Sequence, residues 1–276
     1  MKKASGSTGS NIGDNTGDKA DGALVLVDVG NTNTVFGIYR GDTLIESFRL
    51  STDTERTADE YGALLLPLFT LSGIDPAATE AVVISSVVPP LHLTLERLAQ
   101  RYFGKKPLFI EPGVRTGMPI RYDNPTEVGA DRIVNAVAAR ERYGSPVIVV
   151  DFGTATTFDV VNAAGEYMGG IITPGIGISA EALFAHASRL YRVDVRKPTE
   201  LVGRNTAAAM QAGIYYGYIG LVDGILERLL AEIPNVKGIV ATGGQAPLIA
   251  GGSKYIREVD PDLTLTGLKL IYEKNR

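Results

Sequence analysis

The sequence contains no cysteine, which excludes disulfides, thiolate nucleophiles and cysteine-ligated zinc. Histidine is nearly as scarce. His92 and His186 are far apart and each has apolar neighbours, so both are expected to pack rather than to ligate. No apolar run reaches the roughly 18–20 residues that a bilayer span requires. Charge is also sparse: the 276 residues carry a formal net charge of −4 and a pI near 5.4. Nothing in that balance favours capture of nucleic acid or of an anionic membrane. What is present is a chain that is 45% hydrophobic, with mean hydropathy +0.08, enough for one large or two modest domains. Residues 1–22 are rich in Gly, Ser, Asp and Asn and lack the apolar core of a signal peptide. They are expected to be a disordered extension or an appended tag on a cytoplasmic protein.

From Ala23, "ALVLVDV" is a short β-rich run, and "TVFGIYRGDTLIESFRL" reads as a hairpin turning at Arg40-Gly41-Asp42. Thr57 and Glu60 have capping-box spacing ahead of a helix that Pro67 should kink or shorten. "EAVVISSVV" is a buried strand; Pro89-Pro90 opens a helix that Gly104 ends, and "DRIVNAVAARERY" is a helix stopping at Gly144. Then the order restarts. In "PVIVVDFGTATTFDVV", Asp151, Gly153 and Thr157 each follow Asp28, Gly30 and Thr34 by 123 positions, and Gly165 follows Gly41 by 124. A matched strand, acid, glycine, threonine and hairpin glycine reads as internal duplication. The expected architecture is α/β, with duplicated units over residues 23–144 and 145–276 and a cleft between them. A long apolar helix from about Asn205 to Ile233 precedes a last strand-turn, "KGIVATGGQAPLI".

Each Asp-x-Gly stretch alone reads equally well as a hairpin turn whose acid caps backbone amides. Two equivalent loops favour phosphate. Gly30, Asn31, Thr32, Asn33 and Thr34 would surround a polyphosphate with neutral donors, since glycine lets backbone N–H groups approach an anion. Asp28 would repel phosphate and is instead suited to Mg²⁺, directly or through its waters. Neither G-x-x-x-x-G-K-[ST] nor a G-x-G-x-x-G after the first strand occurs, so the P-loop and dinucleotide fingerprints are absent. Gly243-Gly244 suits close approach of a flat ring or a phosphate. Asp131 starts a helix and reads as either an N-cap or a general base. Arg132 suits a substrate carboxylate or a surface salt bridge, and Tyr122 either closes a pocket or simply packs. Gly129 permits close backbone approach.

With "DVGNTNTVFG", "YDNPTEVGADR", "VDFGTATTFDV", "GGIITPGIGIS" and "NTAAAMQAG" in this order, the chain from about Leu24 resembles the type III pantothenate kinases. They lie in the superfamily of acetate and sugar kinases, heat-shock chaperones and actin. The resemblance implies two duplicated actin-like ATPase (ribonuclease H-like) domains with a nucleotide cleft. It implies ATP-dependent phosphorylation of the primary hydroxyl of pantothenate, the first step towards coenzyme A. By the same resemblance Asp131 is the general base, and Tyr122, Gly129, Ala130, Asp131, Arg132 and Thr206 meet the substrate. Asp28, Val29, Gly30, Asn31, Thr32, Asn33, Thr34, Val35 and Thr154 would meet ATP. Asp151 would hold a monovalent cation, K⁺ or ammonium, Asp28 would serve Mg²⁺, and the protein would be a homodimer. Thr206 also reads as a helix cap. Another small-molecule kinase of this fold, or a nucleotide-binding regulator without turnover, are the alternatives.

Overall fold

A computed structural model describes residues 22–187 and 189–276; of the expected tail, all but Gly22 lies outside the described residues. The chain forms two five-stranded mixed sheets with the same connectivity. The first is built from β1 (Ala23–Val29), β2 (Asn33–Arg40), β3 (Thr43–Ser51), β4 (Thr79–Ser86) and β5 (Leu108–Phe109), in the order β3-β2-β1-β4-β5. The second uses β6 (Val147–Phe152), β7 (Ala155–Val161), β8 (Tyr167–Pro174), β9 (Gly238–Thr242) and β10 (Glu258–Val259), in the order β10-β9-β6-β7-β8. In each, the first three strands are antiparallel and the last two join in parallel.

Helices fill the connections, three in the first half and four in the second among the described residues. They are α1 (Ala58–Leu71), α2 (His92–Phe103) and α3 (Ala130–Tyr143) in the first half, then α4 (Ile176–His186), α5 (Thr206–Glu232), α6 (Ala246–Ala250) and α7 (Leu263–Glu273). The capping box forms as expected, with Thr57 Oγ1 accepting from Glu60 N and Glu60 Oε2 accepting from Thr57 N. Pro67 does not shorten α1, which runs on to Leu71.

Strand alternation sorts the core into three layers. On β1, Val25, Val27 and Val29 pack outward against α1 and α2, while Leu24 and Leu26 face inward. On β6, Ile148, Val150 and Phe152 pack outward, toward α5 and α6, while Val147 and Val149 face inward. The inward layer is shared: α3 and α7 lie against each other between the sheets, α3 touching β6 and β7 and α7 touching β1 and β4. Because Asp28 and Asp151 share the parity of these inward residues, both acids emerge between the sheets.

The duplication is real, but the register differs from the constant offset in one place. Asp28 pairs with Val35, whereas Asp151 pairs with Thr157. The counterpart of Thr157 is therefore Val35, and that of Thr34 is Thr156. The first turn holds one extra residue: Gly30 N donates to Asn33 O at 3.0 Å, while Gly153 N donates to Ala155 O at 3.1 Å.

Candidate active site

The two Asp-x-Gly turns meet. Thr32 Oγ1 and Thr154 Oγ1 share a hydrogen bond of 2.7 Å across the gap between the halves. The first loop is pinned from below by Thr52, whose hydroxyl donates to Gly30 O at 2.7 Å and contacts Thr34 Oγ1 at 2.9 Å. Asn31, Thr32 and Asn33 are left exposed. Val29 and Thr34 have fully buried side chains, so within the run read as nucleotide-binding these two turn away from the gap. Val35, half-buried, lies beside Asp28.

Below the loops four carboxylates converge on the floor. Burial, then the charges of Asp131 and Asp151, push the Asp28 carboxyl up to about 8. Burial, then Asp131 and Asp159, push Asp151 up to about 7. Asp131 is also raised, mainly by burial. Such a floor repels further anions and attracts cations. Ser85, the neighbour of Asp28 on β4, is buried; its hydroxyl makes no hydrogen bond of good geometry, although it lies close enough to the Asp28 carboxyl to favour its charged form. Among the described residues no three His, Asp or Glu side chains group closely enough to hold a metal alone. The donor set of Asp28 with the Ser85 hydroxyl fits Mg²⁺, which typically keeps waters and takes substrate phosphates alongside one or two carboxylates. His92, as expected, packs: its ring stacks on Phe109 at 3.9 Å, with Glu111 at 3.5 Å.

Asp131 is not the helix cap. Gly129 occupies that position, and Asp131 is the second helical residue, accepting from Arg132 N at 2.8 Å. A Cβ at Gly129 would lie 2.5 Å from Asp131 Oδ1, so the glycine makes room for the acid. Four residues on, one helical turn along the same face, Asn135 donates to Asp151 Oδ2 at 3.1 Å and accepts from Thr264 Oγ1 at 2.7 Å. Helix α3 thus carries one acid and orients another. Gly243 is required for a related reason. Its φ is +88°, and a Cβ there would lie 2.5 Å from Asp151 Oδ1 and 2.7 Å from the Phe152 carbonyl.

Arg132 makes a buried ion pair rather than a surface one. Its Nε and Nη2 lie 2.8 and 2.7 Å from Asp159 Oδ1, and Tyr167 donates to the same oxygen at 2.8 Å. Nη2 has no satisfactory hydrogen-bond acceptor, although it is buried. Tyr122 packs over Gly169, where a Cβ would meet its ring at 3.0 Å, and Arg132 Nη2 lies beside Gly170. Tyr122, Gly129, Ala130, Asp131 and Arg132 therefore form one neighbourhood at the head of α3. Thr206 belongs to a different hollow, lined with Ser179, Leu183, Met210 and Ile214. The cap of α5 is Asn205, whose side chain accepts from Ala208 N at 2.9 Å.

Asp159, Ser85, Asn135 and Arg49 were not singled out from sequence. Asn135 was within reach, since it stands four residues after Asp131 on one helix face. Arg49 follows only from cross-strand register.

The family model described as type III pantothenate kinase matches residues 24–228. A type III pantothenate kinase of Koribacter versatilis is 57% identical over 92% of this chain and 96% of its own length. Among solved structures, a protein from Campylobacter jejuni described as a Baf family transcriptional activator aligns over 91% of this chain and 98% of its own, with TM-score 0.57 and 21% identity. A protein from Sinorhizobium meliloti described as a 2-dehydro-3-deoxygalactonokinase aligns over 91% and 96%, with TM-score 0.57 and 14% identity. At such identities both structures speak to the fold alone, two α/β units each built on a five-stranded mixed sheet.

Proposed function

The chain belongs to the type III pantothenate kinase family, and on that premise we propose which of its residues carry out the reaction. The enzyme phosphorylates pantothenate with ATP, in coenzyme A biosynthesis. The observation that carries the assignment of parts is the meeting of Thr32 with Thr154 above the acidic floor. A polyphosphate held by Gly30, Asn31, Thr32, Asn33 and Thr154 would point its terminal phosphorus toward Asp131. The primary hydroxyl of pantothenate attacks that phosphorus and ADP leaves, while Asp131 takes the hydroxyl proton. Its raised carboxyl brings it nearer working pH, as a general base requires. Positioning is at least as important, since phosphoryl transfer is largely dissociative.

Arg132 is suited to the pantothenate carboxylate through Nη2, with Asp159 fixing its other side. Tyr122 covers the aliphatic chain. When bound, Mg²⁺ neutralises developing phosphate charge, with Asp28 and Ser85 as its protein side. Asp151 would hold a monovalent cation, which would offset its buried charge. Residues 23–144 and 145–276 are the two duplicated units, and the protein works in the cytoplasm.

It works as a homodimer. Gly213, Gly217 and Gly220 form a stripe on α5 where an added Cβ would meet nothing within 4 Å. Exposed Tyr216, Ile178 and Leu183 lie on α5 and α4; Thr206 would meet substrate in that assembly. No helix among the described residues is long and apolar enough to cross a membrane.

The test is ADP formation with and without pantothenate. ADP release that is absent without pantothenate and rises with its concentration supports the reading, and pantothenate-independent turnover overturns it. Sedimentation equilibrium checks the dimer.

A further inference from the structure

We propose that Arg49 is a nucleotide-phosphate contact, closing over the polyphosphate from the rim of the first sheet. The inference rests on the kinase reading above and adds a residue to it. Register places the side chain. Asp28 on β1 pairs with Val35 on β2, and Val35 pairs with Arg49 on β3. Directly opposed residues share a face, so Asp28, Val35 and Arg49 form one row on the face that looks into the gap. The guanidinium then reaches across to the other half: a Cβ at Gly244, in the turn after β9, would lie 3.7 Å from Arg49 Nη1.

Its charge is near enough to Asp28 to favour the ionised carboxylate, yet the two side chains are not bonded to each other. Arg49 is exposed and has neither an ion pair nor a hydrogen bond among the described residues. The residues that would hold phosphate in both turns are neutral donors, and the floor beneath them carries four carboxylates. The guanidinium at the head of α3, Arg132, is divided between Asp159 and the proposed pantothenate carboxylate, which leaves none of it for the nucleotide. Neither turn supplies a side-chain cation of its own for a polyanion entering this gap, and Arg49 stands at its edge. An arginine there can bond phosphate oxygens in a bidentate fork. The matching place in the second sheet shows that the strand does not itself require an arginine. Asp151 pairs with Thr157, Thr157 pairs with Ile172, and Ile172 is 61% exposed.

The experiment is calorimetric titration of ADP, AMPPNP and adenosine into the full-length parent, Arg49→Gln and Arg49→Lys, with thermal melts of each. Loss of a charge-assisted bond to phosphate should weaken ADP and AMPPNP about ten- to a hundredfold in Arg49→Gln. Arg49→Lys should recover part of that loss, while adenosine affinity and melting temperature stay at the parent's values. Unchanged ADP affinity overturns the proposal. So does an equal loss of adenosine, which would make Arg49 a wall of the site rather than a phosphate contact. Should Arg49→Gln melt early, the Lys variant decides, since a packing role would be restored by it for adenosine and ADP alike. A parent that binds ADP tightly but does not respond to pantothenate refutes the kinase reading and leaves the phosphate contact standing.

Discussion

Across the first sheet, one row runs Ser85, Asp28, Val35, Arg49; across the second, the matching row runs Thr242, Asp151, Thr157, Ile172. The acid is the feature the rows share. The first row has a buried hydroxyl on one side of it and a free guanidinium at the far end, a set suited to a metal-bound polyanion. The second row ends on an exposed isoleucine, and its acid is held by Asn135 and has its room because residue 243 is a glycine. The closing helices differ in the same way. The second helical residue of α3 is Asp131, and that of α7 is Thr264. The two sheets share one frame, and on the proposed assignment the chemistry is divided between them: base and phosphate closure on the first, support and a buried anion on the second.

The largest effect should come from the most unequal pair, Asp131 against Thr264. Asp131→Asn still accepts from Arg132 N, so melting should move by less than about 1 kcal/mol equivalent. It cannot take a proton, and turnover should fall roughly 10²–10⁴-fold. Steady-state kinetics beside a thermal melt check this. Parent-like turnover would make Asp131 a helix-end residue and nothing more. Next in size is the response to monovalent cations. The parent should be activated by K⁺ or ammonium over Na⁺ by about tenfold or more, because an ion offsets a carboxylate buried among others. Asp151→Asn should abolish the response, and equal rates across the salts would remove the cation site from the second frame.

How much of this division was open to reading from the chain depends on sequence distance. The duplicated acids and glycines lay within short runs, and so did the hairpins and the capping box. The one-residue difference between the turns did not, because a constant offset between identical letters is blind to which residues pair. Thr34 and Thr157 match as letters and face opposite ways. Arg49 was hidden for the same reason, since its relation to Asp28 passes through two strand pairings. For Arg132 the choice lay between a substrate carboxylate and a surface salt bridge; its buried partner was out of view because Asp159 stands 27 residues away. Gly243 was read for a ligand, yet the side chain it spares is Asp151. Short-range chemistry was legible; contacts set by register and by packing between the halves were not.

A smaller effect tests the electrostatics of the floor through Asp28. Its carboxyl is held near 8, against an ordinary value of 3.8. The native state therefore keeps a proton that the unfolded chain releases as pH rises above about 4. Stability from this group falls between those values and is lowest above pH 8. In nucleotide-free protein in a choline buffer, Asp28→Asn removes that cost. It should melt higher than the parent at pH 8, with the gain shrinking toward pH 4. Turnover should drop in the same variant. A gain that is equal at both pH values would mean that charge on Asp28 is not what the native state resists.

The smallest effect belongs to Thr264, and it asks whether the second frame only supports. Its hydroxyl is the donor that Asn135 accepts at 2.7 Å, and Asn135 in turn holds Asp151. Thr264→Val keeps the shape of the side chain but leaves the buried Asn135 oxygen without this donor, a loss of about 1 kcal/mol. The amide is then free to turn, and Asp151 loses its orientation without losing its charge. The expected signature is a few-fold higher K⁺ concentration for half-activation, with turnover at saturating K⁺ nearly that of the parent. Thr264→Ser, which restores the donor, should bring the K⁺ requirement back. If Thr264→Val instead loses turnover a hundredfold at saturating K⁺, as Asp131→Asn should, then α7 takes part in the chemistry and the two frames are less divided than their rows of residues indicate.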